Sequence, residues 1–242
     1  MKLTAITRVR NEEHIIKDTL EHVSKFADEI YVYDDCSTDN TVKACKEFPK
    51  VKIIIRGMIW EPEPKKRRLL EGTQRQKVYE ASLKGNPDWI YYFDADEFAD
   101  LNGIDFNKAD AYRLRLFDYY ITKEDKNKSW KERRWIGKEY RDILMLFKPH
   151  KDIIFTSRVP KLPKHYRIIN DPTPRVKHYG KAISIEQWEE TCDYYIKNRH
   201  PEGDKSIKKW SERKGKAVHT KSDYGTELIL WEEAKQKGIK LR

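Results

Sequence analysis

The sequence predicts an α/β protein in which a mostly parallel sheet is flanked by helices and extended by further strands. In the first hundred residues, short apolar runs alternate with segments whose apolar residues recur at helical spacing, the pattern of parallel βαβ units. After residue 110 the strand-like runs follow one another without comparable helices, which indicates a mixed-strand extension. A basic segment with helical spacing, residues 197–242, ends the chain.

Acidic residues follow two of the predicted strands of the first part. These strands are residues 3–7, 29–33, 51–55 and 89–93. Asp34 and Asp35 follow the second strand, and Asp94, Asp96 and Glu97 follow the fourth. Because ligands of open parallel sheets bind beyond the carboxyl ends of the strands, the two clusters predict a binding site at that edge.

Helices are expected between these strands and near the end of the chain. Asn11 is a candidate N-cap for a helix whose apolar residues recur at i, i+4 and i+7. A charged loop, residues 60–68, leads to a helix through Gln74, Val78 and Ala81 that ends at Gly85. In the basic segment, Leu228 and Trp231 share one helical stripe.

Beyond residue 110, four further strands are predicted at residues 112–117, 143–147, 153–159 and 176–179. We divide the chain into residues 1–110, an extension of the same domain over residues 111–196, and a helical tail over residues 197–242.

Composition narrows the partners and the compartment. The 242 residues carry a net charge of +10, which favours anionic partners: nucleotide phosphates, nucleic acid or an anionic membrane surface. A lysine-rich proteome explains the charge equally well. The three cysteines have no CxxC spacing, which argues against a disulfide framework and a cysteine zinc site. With neither a signal-peptide core nor an apolar run of about 20 residues, we expect a cytoplasmic protein.

Four ordered segments resemble family 2 glycosyltransferases, which have a Rossmann-like fold called GT-A. Residues 6–13 resemble the first strand and turn of the family, residues 29–41 its "EI.vvDd.StD.T" segment, and residues 89–97 its "wi..lDaDe" metal segment. Arg75 stands where the family places an Arg before the fourth strand. The resemblance covers residues 1–100. It implies a nucleotide-sugar-binding half in residues 1–110 and an acceptor side in residues 111–196.

The resemblance implies an inverting, metal-dependent transfer of sugar from a nucleotide-diphosphate sugar to a glycan, lipid-linked or protein acceptor. Nucleotide-binding residues would be Arg8, Arg10, Asp35 and Arg75. The alternative is a structural role for each: Asp34 and Asp35 would cap the turn that follows them, and Arg75 would be an exposed helix residue.

Asp94 and Asp96 would hold Mn²⁺ or Mg²⁺, and His178 resembles a late histidine ligand of the family. Hard oxygen ligands suit either ion, which would neutralise the leaving diphosphate as a Lewis acid. If the chain is extended there, two Asp residues spaced by one project to the same side. The alternatives are a solvated acidic turn and a structural histidine.

An inverting transfer also needs a general base near the acceptor hydroxyl. Glu139 and Asp142 are the first candidates and Asp118 is the third. Where relatives often carry a His-Glu pair, this chain has Val159, Pro160 and Lys161, so the usual acid position is not matched.

Two other classes compete with this interpretation. A nucleotidyltransferase would usually carry a Gly-rich loop after the first strand, and residues 8–12 contain no glycine. A non-enzymatic nucleic-acid-binding protein would fit the charge, but no recognition motif for nucleic acid is present, so we expect no specific nucleic-acid partner. The basic tail suggests peripheral contact with an anionic membrane.

Overall fold

Strands and helices alternate from the start of the chain in the computed structural model, which describes residues 1–198 and 204–237. The first part consists of β1 (Leu3–Val9), α1 (Ile16–Val23), β2 (Glu29–Asp34), α2 (Thr41–Lys46), β3 (Val51–Arg56), α3 (Pro64–Leu83) and β4 (Trp89–Phe93). Then follow β5 (Glu97–Ala99), β6 (Ala111–Tyr119), β7 (Trp135–Phe147), β8 (Ile154–Phe155), β9 (Pro160–Lys161) and β10 (Ile168–His178). The last elements are α4 (Ile185–Asn198), α5 (Asp204–Arg213), β11 (Leu228–Leu230) and α6 (Trp231–Lys237).

Two compact units divide the described residues. Unit one comprises Met1–Glu61, Lys66–Arg113 and Ile143–Asp171. Unit two comprises Pro62–Lys65, Leu114–Asp142 and the described residues from Pro172 onward. Residues 199–203 and 238–242 of the predicted tail lie outside the described residues.

A parallel sheet in the order β3-β2-β1-β4 forms the centre of unit one. The register pairs Val9 of β1 with Asp34 of β2, and Thr7 of β1 with Phe93 of β4. Strands β1, β2 and β4 therefore end at the same edge of the sheet. The end of β7 adds to β4 in the antiparallel direction, through Ile90 and Phe147. The predicted α/β class, with a large sheet flanked by helices, is confirmed.

The core of unit one lies between this sheet and α3. Ile6, Tyr79, Ile90, Phe147 and Phe155 are among its buried members. Each such side chain contributes about 1.5–3 kcal/mol when it leaves water. This packing fixes α3 against the sheet, and α3 supplies two side chains to the site described below.

Two predicted element boundaries in unit one are wrong. Helix α1 begins at Ile16 and is not capped by Asn11, because Asn11 has a φ of 52° and its Oδ1 accepts the Thr38 backbone N–H at 2.8 Å. Asn tolerates this left-handed backbone better than most residues do. The strand predicted at residues 153–159 is only Ile154–Phe155, because Phe155 pairs with Pro160 and residues 156–159 form the connection between the two short strands.

In unit two, the segment around Trp231 packs onto the strands. Trp231 is buried, with its ring centroid 5.9 Å from those of Phe117 and Tyr119. The prediction that Leu228 lies in a helix is wrong. Leu228 and Leu230 pair with Gly137 and Trp135 on the edge of β7, because that edge offers unpaired backbone groups.

Among the helices that the structure describes, none is long and apolar enough to cross a membrane.

Candidate functional site

Asp35 follows β2 and is hydrogen-bonded through both carboxylate oxygens. Arg8, in β1, donates from Nη2 to Asp35 Oδ2 and from Nε to Gln74 Oε1 at 2.6 Å. Gln74, in α3, donates from Nε2 to Asp35 Oδ1 at 2.7 Å. The three side chains form a closed ring, and Arg8 balances the charge of a carboxylate that is only 2% exposed. Each carboxylate oxygen retains a further lone pair with which to accept a hydrogen bond.

Arg10 holds the loop after β2 in place. Its Nη1 donates to the carbonyl oxygens of Asp35 at 2.6 Å and Cys36 at 2.9 Å. Its guanidinium lies 4.5 Å from the ring centroid of Trp60, and that of Arg67 lies 5.1 Å from the same ring. Arg10 therefore fixes the backbone on which Asp35 is presented.

Asp34 is fully buried and plays the structural part that the alternative assigned to it. It accepts the Ser37 backbone N–H at 3.3 Å and the Arg56 Nε–H at 3.2 Å. Asp34 therefore shapes the turn after β2.

The acidic cluster after β4 is a tight turn. Its backbone closes through a 3.1 Å hydrogen bond from Glu97 N–H to the Asp94 carbonyl oxygen. The Glu97 Oε2 accepts the Asp94 N–H at 3.0 Å, and the Thr19 hydroxyl donates to the carbonyl oxygen of Ala95. Since the chain turns at residues 95 and 96, the extended geometry assumed for same-side projection of Asp94 and Asp96 is not present.

Two arginines bind the carboxylate of Asp94. Arg75 Nη2 lies 3.2 Å from Asp94 Oδ1 and 2.8 Å from Glu71 Oε1. Arg158 Nη2 lies 2.5 Å from Asp94 Oδ2 and 3.2 Å from Glu97 Oε1. The alternative in which Arg75 is an exposed helix residue is wrong, since its side chain is only 4% exposed.

Both arginines stay charged. Burial alone would lower the pKa of Arg75, but the negative charges of Asp94 and Glu71 outweigh it and raise that pKa. Asp94 and Glu97 likewise raise the pKa of Arg158. The Nη1 of Arg75 is buried and makes no hydrogen bond with the part of the chain that the structure describes. A charged, buried donor that makes no hydrogen bond destabilises the folded protein unless a ligand accepts its hydrogen.

The residues at this turn have the chemistry that a divalent cation needs. Burial, followed by the charges of Asp96 and Asp94, raises the pKa of Glu12 well above its ordinary value. The carboxylates of Asp94 and Asp96 are the hard oxygen donors that Mg²⁺ and Mn²⁺ accept. Within residues 1–198 and 204–237, no three His, Cys, Asp or Glu side chains form a complete metal-binding cluster. One or two carboxylates completed by phosphate oxygens and water are the usual alternative.

The other predicted site residues lie in unit two. His178 Nδ1 lies 2.5 Å from Asp118, which also accepts from Arg141 at 2.6 Å and from Lys181 at 2.9 Å. Burial alone would raise the pKa of Asp118, but the hydrogen bond from His178 and the charges of Lys181 and Arg141 hold it well below its ordinary value.

Both first candidates for the general base have side-chain partners. Asp142 pairs with Arg115 at 3.1 Å. Glu139 accepts hydrogen bonds from the hydroxyls of Ser222 at 2.9 Å and Thr226 at 2.6 Å. Their assignment as the base stays a prediction.

Sequence reasoning missed Gln74 and Arg158 as parts of the site. Gln74 carries a signal, because it is an uncharged polar residue on the inward stripe of its helix. Glu97 was grouped with the acidic cluster, but its turn-closing role depends on a backbone conformation that the residue types do not specify. Arg158 follows a short strand in a charged segment, and no spacing rule distinguishes it.

An α/β sheet with buried arginines and acids at its strand ends is a typical anion-binding site. The profile of glycosyl transferase family 2 matches residues 4–159. The chain therefore belongs to glycosyl transferase family 2.

Two uncharacterized proteins, from Mycobacterium bovis and Mycobacterium tuberculosis, are each 32% identical over 96 residues. The match covers 40% of this chain and 23% of theirs, so it spans less than a quarter of these curated relatives.

Several solved structures are similar at lower identity. TarS 1-349 of S. aureus in complex with UDP is 16% identical, with 88% of this chain and 71% of that chain covered and a TM-score of 0.43. Glucosyl-3-phosphoglycerate synthase of Mycobacterium tuberculosis, in complex with Mn²⁺, UDP-glucose and phosphoglyceric acid, is 15% identical, with 50% and 44% covered and a TM-score of 0.30. A 4-diphosphocytidyl-2C-methyl-D-erythritol synthase is 14% identical, with 61% and 75% covered and a TM-score of 0.38.

Proposed function

We propose that this chain is a glycosyltransferase that moves a sugar from a nucleotide-diphosphate sugar to an acceptor hydroxyl. One observation carries the proposal: adjacent residues of α3 reach two charged clusters at the strand ends. Gln74 completes the ring with Arg8 and Asp35, and Arg75 binds Asp94. Membership in the glycosyl transferase family gives this arrangement its chemistry.

Each cluster is suited to one part of the donor. Asp35 has lone pairs left to accept an N–H of the nucleotide base, and Arg8 and Gln74 fix its orientation. Arg75 has a buried donor, Nη1, which makes no hydrogen bond within the described residues and suits a diphosphate oxygen. Guanidinium groups fixed before the reaction stabilise the charge that develops on a leaving diphosphate.

Asp94 and Asp96 would hold Mn²⁺ or Mg²⁺, which would add Lewis-acid stabilisation of the diphosphate. His178 remains a proposed further ligand. Glu97 and Thr19 hold the turn that carries Asp94 and Asp96.

For the general base we retain Glu139 and Asp142, which belong to unit two. We expect either Glu139→Gln or Asp142→Asn to lower turnover by about 10²–10⁴ without changing donor affinity. Near-normal turnover in both variants would place the base elsewhere. Asp118 is then a poor substitute, because a carboxylate whose pKa is held so low is a weak base near neutral pH.

The acceptor is proposed only by class, as a glycan, a lipid-linked sugar or a protein. We propose that the protein is cytoplasmic and makes peripheral contact with an anionic membrane through its basic tail.

The proposal is tested by thermal unfolding with UDP or GDP in the presence of Mn²⁺. A ligand at a hundred times its Kd stabilises the folded state by about 2.7 kcal/mol. We expect either UDP or GDP to raise the Tm. We expect the corresponding nucleotide sugar to be hydrolysed slowly when no acceptor is added. Stabilisation by an oligonucleotide alone would support the nucleic-acid alternative. Stabilisation by a nucleoside triphosphate with release of pyrophosphate would support the nucleotidyltransferase.

A further inference from the structure

Arg158 occupies a carboxylate that the proposed metal site requires. Its Nη2 lies 2.5 Å from Asp94 Oδ2 and 3.2 Å from Glu97 Oε1. Arg75 binds the other oxygen of Asp94. With both oxygens of Asp94 facing guanidinium groups, a divalent cation at this carboxylate would meet two positive charges.

Helix α3 fixes the backbone that carries Arg158. A Cβ built on Gly72 would lie 2.6 Å from the carbonyl carbon of Thr156, so only glycine permits this close crossing. One turn further along the helix, Gln76 accepts the Phe155 N–H at 2.9 Å. The segment ending at Arg158 is therefore held over the helix that also carries Gln74 and Arg75.

The two arginines differ in how firmly their side chains are held. Arg75 is 4% exposed and uses both Nε and Nη2 to bind Glu71. Arg158 is 47% exposed and makes both of its ion pairs through Nη2. A half-exposed ion pair contributes little stability and exchanges partners easily. The anchored backbone and the loosely held guanidinium of Arg158 suit a group that moves between two anions.

We propose that Arg158 is a binding residue for the donor diphosphate, held on Asp94 and Glu97 until the donor arrives. This inference rests on the proposed function. When the diphosphate enters, the guanidinium moves from Asp94 to the phosphate oxygens and releases the carboxylate for the cation. Arg158 therefore competes with the cation when no nucleotide is present, and it binds beside the cation when a nucleotide is present.

The inference predicts two changes of opposite sign in Arg158→Gln. Without nucleotide, Mn²⁺ should bind about two- to fivefold more tightly, since a competing ion pair of modest strength is gone. With saturating Mn²⁺, UDP or GDP should bind about ten- to a hundredfold more weakly, since a charged hydrogen bond is lost. Calorimetry measures both affinities without requiring turnover.

Two further variants separate this role from others. Arg158→Lys keeps the charge but loses the planar donor group, so its nucleotide affinity should fall between those of Arg158→Gln and the wild type. Arg68→Gln removes an exposed arginine of α3 and should change neither affinity. A fall in both affinities in Arg158→Gln would show that Arg158 only supports the turn and would overturn the inference.

Unchanged nucleotide affinity in Arg158→Gln would also overturn it, while leaving the proposed function standing. Failure of the wild-type protein to bind UDP or GDP with Mn²⁺ would instead reject the proposed function, and the inference with it.

Discussion

Asp94 in unit one and Asp118 in unit two are both aspartates that basic side chains surround. They differ in whether those side chains keep hydrogen-bond donors that are not in use. Asp118 accepts from His178, Arg141 and Lys181, and Lys181 is held a second time by Asp223 at 2.6 Å. Asp94 accepts from Arg75, whose Nη1 makes no hydrogen bond within the described chain, and from Arg158, whose guanidinium is half-exposed. Both clusters contain a half-exposed arginine, Arg141 in the first and Arg158 in the second. They differ at Arg75, whose buried Nη1 makes no hydrogen bond within the described residues.

This difference bears on whether each cluster stabilises the fold or binds a ligand. A network whose members are all paired gains nothing from an added anion, and it loses heavily if one member is removed. A network with an unfilled buried donor gains a hydrogen bond when an anion enters. We therefore expect Asp118 to contribute mainly to stability and the cluster at Asp94 to contribute to donor binding.

The largest effect that the comparison predicts is on stability. Asp118→Asn removes the carboxylate charge that Arg141, Lys181 and His178 share, and losing several hydrogen bonds to one charged group costs about 3 kcal/mol. We expect the free energy of unfolding in urea to fall by about that amount, while nucleotide affinity stays unchanged. Asp152→Asn, at a side chain that is 65% exposed, is the matched control and should leave stability unchanged. Normal stability with lost nucleotide binding in Asp118→Asn would reverse the assignment.

The pH dependence of this effect has a definite sign. The folded pKa of Asp118 is lowered, so its contribution is fully present above its unfolded pKa of about 3.9 and is lost progressively as the pH falls from there to the lower folded pKa. The difference in stability between wild type and Asp118→Asn should be largest at about pH 6–7 and shrink below about pH 4. A difference that persists at low pH would mean that the asparagine disrupts packing.

The next effect tests the cluster in unit one. Asp96→Asn should lower metal-dependent turnover at least about a hundredfold and leave the Tm within about one degree, because only an anchor of the ion is lost. Turnover with Mn²⁺ and turnover in EDTA are measured for both proteins. Wild-type turnover in the variant, or full wild-type activity in EDTA, would contradict metal binding at this turn.

A smaller effect is expected at the ring of Arg8, Asp35 and Gln74. Asp35→Ala should weaken UDP or GDP binding by about 1.5–3 kcal/mol, the contribution of a hydrogen bond to a charged group, and slow the chemical step less. Calorimetry and single-turnover rates separate the two quantities. Gln74→Leu keeps the volume but removes one partner of Asp35, so a weaker loss in that variant would support the role of the ring in orienting Asp35.

The ends of the strands could be predicted from the sequence. The contacts between distant segments could not. The spacing of apolar residues predicts β1, β2, β3 and β4, and the acids that follow them mark the edge of the sheet where Asp35 and Asp94 lie. Arg158 could not be placed beside Asp94, because 63 intervening residues must fold before Gly72 brings the segment over α3. Leu228 was assigned to a helix because its spacing to Trp231 is helical, but the unpaired edge of β7 decided its structure.

Basic side chains on the surface of unit two are a second feature that could bind an anion. Residues 197–242 contain thirteen Lys or Arg and seven Asp or Glu. Lys205, Lys208 and Lys209, all on α5, are exposed. If these lysines attract an anionic membrane, unit two binds an anion through its surface charges and not through the cluster at Asp118.

The smallest effect that we predict for a single residue is the loss of membrane binding free energy at each of these three lysines. Each Lys near an anionic surface contributes about 1 kcal/mol, so replacing all three by Ala should strongly reduce cosedimentation with phosphatidylserine vesicles at low salt. The matched control replaces three exposed lysines of unit one, Lys43, Lys46 and Lys52, by Ala. Binding that depends on α5 should vanish at high salt, because surface charges are screened beyond a few ångströms there. Equal losses in the two triple variants would reduce the effect to net charge, and no cosedimentation of the wild type at low salt would leave unit two without an anionic partner at this surface.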